Sequence, residues 1–167
     1  MSDTTTRVVQ AVALGSSSFL AGFITTFSVS IPAISLAPPP TAAQIWRALF
    51  NAGKGRAPYI ALLSTASYAY LAYHASSTSE RAALAAASAC VIAIVPYTAI
   101  AMSGTNGRLL ELAARGSKGG NGEQAGLKEP SAEEVGALLR KWTGLNYVRA
   151  MGPAIAAAVG FWVVFGW

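Results

Sequence analysis

Charge is missing from long intervals of this chain, and that leaves the fold few options. No Asp, Glu, Lys or Arg lies between Arg7 and Arg47, between Arg56 and Glu80, between Arg81 and Arg108, or after Arg149. About 20 apolar helical residues cross a bilayer core of roughly 30 Å, and each interval is long enough. The expected spans are 8–31, 57–75, 82–103 and 148–166. The first is too long for a cleaved leader, despite the small-x-small look of Ser35-Leu36-Ala37, and reads as a retained anchor. Composition agrees, with 53% hydrophobic and 11% charged residues, against roughly 25% charged in a soluble domain. The expectation is one domain over 1–167, all-α, an integral membrane four-helix bundle.

A net charge of +5 would suit nucleic acid in a soluble protein, but the distribution of charge points elsewhere. Ten of the twelve Lys and Arg residues fall in the first and third connections: Arg47, Lys54, Arg56, Arg108, Arg115, Lys118, Lys128, Arg140, Lys141 and Arg149. Cytoplasmic loops carry the basic excess. Both connections are therefore expected on the cytoplasmic side of an endomembrane, with both termini and the turn at Ser76–Glu80 luminal. The expected partners are lipid and a small molecule, not nucleic acid, and the sequence does not fix an oligomeric state. Cys90, the single cysteine, lies inside a span and has no intrachain partner for a disulfide.

Along the first span, Ala11, Gly15, Ser18 and Gly22 form a small-residue stripe expected to pack against a neighbour. Pro32 and Pro38–Pro40 are expected to end that helix. Thr41-Ala42-Ala43-Gln44 has the spacing of a capping box and opens a short amphipathic helix, with Ile45, Leu49 and Phe50 on its apolar face and Gly53 as its stop. A second short helix follows Pro130 and Ser131, with Val135, Leu138, Leu139, Trp142 and Leu145 on one side and Arg140 and Lys141 on the other. Both are expected at the cytoplasmic interface, anchored by Trp46 and Trp142. They either cover the bundle end or admit a substrate. Pro96 is expected to bend the third span, and Gly152, Ala156 and Gly160 set a close-packing register in the fourth. Gly116–Gly122 reads as a flexible linker within 116–130, without the residue order that cradles phosphate.

Chemistry has few places to reside. One His, one Cys and no acid inside a span offer no metal site, and spans without ionisable groups do not suit an ion-coupled transporter. His74, one turn after Tyr70, reads more readily as an interfacial residue than as a catalyst. What remains is a polar cluster at the cytoplasmic ends of the last two spans, with Thr105 and Asn106 closing one helix and Asn146 and Arg149 opening the other. Arg149 offers fixed donors for a carbonyl or phenolate oxygen, and the amides both donate and accept. Read singly, Arg149 is also a snorkelling charge and Asn106 a helix C-cap.

Several stretches together resemble the ordered motifs of the anthrone oxygenase-like family, small fungal-type membrane proteins. These are Ala21-Gly22-Phe23 leading to Ser28 and Pro32, Gln44 to Trp46, Pro96-Tyr97-Thr98 followed by Thr105-Asn106-Gly107-Arg108-Leu109, and Trp142 through Leu145-Asn146 to Arg149. The likeness covers all the expected spans. It implies oxidation of a polyketide anthrone to an anthraquinone in secondary metabolism, with molecular oxygen as co-substrate and no flavin, haem or metal. Chemistry and placement then suggest Arg149, Asn146 and Asn106 as donors to a developing oxyanion, and Thr105, Trp142, Trp46 and Tyr97 as substrate contacts, with the proton acceptor unassigned. The competing expectation is a non-enzymatic scaffold or carrier for a lipophilic molecule. Convergence of Asn106, Asn146 and Arg149 around one pocket favours the enzyme, and their dispersal onto lipid or water favours the scaffold.

Overall fold

A computed structural model describes residues 3–118 and 131–166, and every element among them is a helix. The order is α1 Asp3–Ile34, α2 Pro39–His74, α3 Thr78–Ile92, α4 Ile94–Ala101, α5 Ser103–Lys118 and α6 Ala132–Phe165. Thr4–Ile34, Thr78–Ala101 and Ala132–Phe165 are long and apolar enough to cross a membrane. The expected second span lies in α2, which is not among these three; Ser64, Thr65, Ser67 and several tyrosines make that stretch less apolar. Much of the outer surface is apolar, with Phe19, Leu62, Ile100, Phe161 and Trp162 all exposed. Exteriors of that kind belong in lipid.

The helices are longer and fewer-jointed than the sequence suggests. Pro32 sits inside α1, near its end, where loss of one amide costs the helix little. Pro38 caps α2 with Pro39 and Pro40 in its first turn, and Thr41 supplies no cap hydrogen bond. Nor does Gly53 stop anything: α2 runs through it and through Pro58 as one helix of 36 residues. The second amphipathic segment and the fourth span are likewise one continuous helix, α6, and here the expected cap is present, Ser131 Oγ accepting from the Glu134 amide at 3.1 Å. Pro96 breaks the third span into α3 and α4 four residues after Ile92, whose carbonyl its ring would crowd. Thr105 and Asn106 open α5 instead of closing a helix. Gly116 to Lys118 still belong to α5, where Gly116 lies against Pro40; the rest of the expected linker falls outside the described residues.

Two apolar cores stack along the bundle. One joins Leu20 and Ile24 of α1, Tyr68 and Leu71 of α2, Leu84 and Val91 of α3 and Ala156 of α6. Tyr68, fully buried, donates to the Ala156 carbonyl at 2.8 Å and lies 3.0 Å from Ser17 Oγ, so one hydroxyl ties three helices together. The packing face of α1 is this one, through Ala13, Ser17, Leu20 and Ile24; the expected stripe of Ala11, Gly15, Ser18 and Gly22 is exposed. The register in α6 holds. A Cβ at Gly152 would stand 2.5 Å from the Cys90 carbonyl oxygen, and one at Gly160 would stand 2.5 Å from the Tyr68 hydroxyl. The second core gathers Ile31, Trp46, Met102, Leu109, Leu112, Leu139 and Trp142. Trp46 and Trp142 are therefore interior residues and not interfacial anchors, at 0% and 3% exposure.

Candidate functional site

Where the two cores meet, the helices leave a half-open cavity of about 280 Å³. One face of α2 forms a wall through Leu49, Phe50, Gly53, Lys54, Ala57 and Pro58, residues that recur every three or four positions. Opposite stand Ile94, Val95, Thr98 and Ala99 of α4, with Phe27 of α1 and Trp142 and Arg149 of α6 completing the enclosure. Gly53 is needed here, because a Cβ would come within 3.0 Å of the Phe27 ring. α4 packs on α6, α3 and α5. Its side towards α2 is left to the cavity, with Val95 and Pro58 exposed at the rim.

Arg149 is half-buried, and its Nε is buried without a hydrogen-bond partner. Thr98 spends its hydroxyl on the Ile94 carbonyl, 2.7 Å away, and so presents mainly its methyl group. Pro58 and Pro153 have no amide hydrogen to offer the carbonyls four residues earlier, those of Lys54 and Arg149. Both cations of the cavity thus sit where a helix has lost a backbone hydrogen bond.

Behind the lining lies a shell of aromatic and amide contacts. Trp142 Nε1 donates to Asn106 Oδ1 at 3.0 Å, joining α6 to α5. Its ring meets Trp46 edge-on at a centroid distance of 5.8 Å, and Trp46 stacks on Phe50 at 5.0 Å. Asn146 is fully buried, and its Nδ2 donates to the Ile24 carbonyl at 2.9 Å and to Ser28 Oγ at 2.8 Å, clipping α6 to α1 while its Oδ1 keeps no partner. Tyr97 donates to the Leu145 carbonyl at 3.2 Å, and Thr105 is buried in the first turn of α5. Of the seven sequence candidates, Arg149 and Trp142 face the cavity. Trp46 and Asn106 support Trp142 from behind, and Asn146, Tyr97 and Thr105 stand outside the lining. Asn106, Asn146 and Arg149 therefore do not converge on one pocket: Arg149 alone of the three lines it, and the two buried amides join helices instead.

The structure adds Lys54, Phe27, Phe50 and Thr98 to the lining. Lys54 counts in the sequence only as a topogenic charge. Its spacing from Phe50 and Pro58 on one helical face becomes informative once α2 is seen to be unbroken. His74 lies elsewhere, in a larger, more polar cleft of about 370 Å³ shared with Thr6, Gln10 and Glu80, with its ring against Tyr70 and Tyr73. Roughly 30 Å of helix separates it from Lys54. Among the described residues no three His, Cys, Asp or Glu come together. The first cavity, with its aromatic walls and two cations, is the more apolar of the two.

Comparison with known proteins bears on the same region. No solved structure matches the chain. The anthrone oxygenase encC of Aspergillus fumigatus is 32% identical, covering 92% of this chain and 90% of that protein. Anthrone oxygenase AgnL2 of Paecilomyces divaricatus is 30% identical over 93% and 94% of the two chains, and the noranthrone monooxygenase of Aspergillus flavus is 31% identical over 93% and 72%. The sequence model of the anthrone oxygenase family matches residues 46–159, a stretch that contains every cavity-lining residue except Phe27. With that match and full-length likeness to named members, the chain belongs to the anthrone oxygenase family.

Proposed function

We propose that the protein oxidises a polyketide anthrone to the corresponding anthraquinone, with molecular oxygen as co-substrate. The carrying observation is Arg149, whose Nε is buried without a hydrogen-bond partner on the wall of an aromatic, largely apolar cavity. Loss of one proton from the central methylene of an anthrone gives an aromatic, electron-rich anion with its charge on the ring oxygen. Such an anion reduces dioxygen directly. Carbon–oxygen bond formation at the former methylene gives a hydroperoxide, and loss of water from it leaves the second carbonyl, so that one anthrone and one O₂ yield one anthraquinone and one H₂O. No step of this sequence calls for flavin, haem or metal.

The protein's part is to stabilise the anion and hold it in place. Arg149 donates to the oxygen as its charge develops, in surroundings of low dielectric where such a donor counts most. Trp142 and Phe50 supply planar apolar walls, and Trp46 and Asn106 fix the tilt of Trp142. Asn146 holds α6, and with it Arg149, against α1. In this reading Asn106 and Asn146 are positioning residues. Four spans, with both termini luminal and the basic connections cytoplasmic in an endomembrane, place the cavity near the cytoplasmic face; tag accessibility on that side at 119–130 is the expected result.

Oxygen uptake by the purified protein with an anthrone, run beside the spontaneous oxidation, tests the activity. Acceleration with one O₂ consumed per quinone formed, from a colourless preparation that resists chelators, is the expected outcome. Uptake no faster than without protein overturns the enzymatic reading. Activity that chelation abolishes overturns its cofactor-free form.

A further inference from the structure

The cavity carries one more cation than the oxidation uses. Arg149 suffices for the single ring oxygen on which charge develops, yet Lys54 of α2 lines the same cavity. Among the described residues no acid lines the cavity, and neither Lys54 nor Arg149 has a carboxylate partner. Arg47 and Arg56 bracket Lys54 in sequence and do not line the cavity, so the general basic excess of this connection does not account for its placement. Lys54 is also exposed while Arg149 is half-buried. The two charges therefore mark the mouth and the interior of one compartment.

We propose that Lys54 is a specificity-determining residue that selects anthrones bearing a carboxylate at the end of the ring system. This rests on the anthrone reading above and names the substrate class within it. A rigid fused-ring molecule keeps its central oxygen and a terminal carboxyl well apart, and the cavity offers a donor for each on a different helix, Lys54 on α2 and Arg149 on α6. The carboxylate meets the exposed Lys54, where its desolvation cost is small, while the rings lie between Phe50 and Trp142 and the central oxygen reaches Arg149. An anthrone without the carboxyl leaves Lys54 in water and loses only that contact. Lys54 thus acts on binding, and Arg149 on the chemical step.

Binding separates this inference from the activity. The probes are anthraquinone-2-carboxylate and unsubstituted anthraquinone, each titrated against the purified protein in neutral detergent and followed by quenching of tryptophan fluorescence, to which Trp46 and Trp142 report from beside the cavity. Wild type should bind the carboxylate about 10-fold more tightly, an advantage that shrinks as ionic strength rises. Lys54→Gln should abolish the advantage without changing affinity for the uncharged quinone, and Lys54→Arg should keep most of it. With carboxylated anthrone as substrate, Lys54→Gln should raise KM by the same factor at nearly constant kcat. Equal binding of both quinones by wild type, binding of neither, or an advantage that survives Lys54→Gln overturns the inference. So does an advantage that disappears in vesicles containing anionic lipid, since Lys54 then serves a headgroup phosphate. Oxygen uptake with an uncarboxylated anthrone decides the parent reading independently.

Discussion

Arg149 and His74 make opposite demands on the same experiment. If Arg149 bears the developing charge, Arg149→Ala should lower turnover by about 10² to 10³ while the protein still accumulates. Arg149→Lys should recover only part, because an ammonium does not reproduce the planar set of guanidinium donors. His74→Ala, in the distant cleft, should retain most activity; collapse in that variant alone would move the chemistry to the other end of α2. Trp142→Phe separates ring from hydrogen bond. It keeps an aromatic wall but strands the buried Asn106 Oδ1, a loss of about 1 to 3 kcal/mol that should appear as a lower melting temperature in detergent. The sequence marks Arg149 well, as the last charge before an uncharged stretch. It does not distinguish an amide facing a substrate from one clipping two helices, because Ile24 and Ser28 meet Asn146 from far along the chain.

Helix boundaries follow the same division between local and distant causes. Ser131 as a cap and Pro96 as a break are local steric and hydrogen-bonding effects, and both can be read from neighbouring residues. The continuity of α2 through Gly53 and Pro58 cannot: Gly53 reads locally as a helix stop, whereas its place is set by the Phe27 ring of α1, which lies far off in the chain. The contact of α3 with α6 gives a sharp test. Gly152→Ala sets a methyl 2.5 Å from the Cys90 carbonyl oxygen, and no rotamer relieves a backbone clash. The helices must part, at about 1 to 3 kcal/mol, which should lower the melting temperature more than Gly144→Ala, where a Cβ meets nothing within 4 Å. At the other end of α6, Arg108 donates to Glu134 at 2.8 Å and to Glu111 at 2.7 Å, and Arg115 also pairs with Glu111. Arg108 first, and then Arg115, hold the Glu111 carboxyl below its ordinary range. A depressed carboxylate stabilises the fold above its unfolded pKa and loses that contribution as pH falls through the depressed value. The melting-temperature difference between wild type and Glu111→Gln should therefore be present at neutral pH and vanish in acid below the ordinary carboxylate range; a difference that persists there would detach the cluster from stability.

For the whole molecule, the charge-free intervals reveal the helical class and the long apolar helices, because hydrophobicity over some 20 residues needs no tertiary information. The cavity is less legible. It exists because α2 and α4 leave a gap between two cores, and both the gap and Lys54's place in it arise from packing. That gap also sets what concentration means for this protein. A compartment rimmed by the exposed Val95 and Pro58, in a chain whose outer surface is apolar, should fill from the phase in which the helices sit. Its substrate is then counted as a mole fraction in that phase, not as molarity in water. With a water-insoluble anthrone held at constant total amount, added detergent micelles should slow turnover by surface dilution, and raising anthrone and detergent in proportion should restore it. A rate that follows bulk concentration alone, at any detergent level, would mean that the cavity fills from water through the Lys54 mouth.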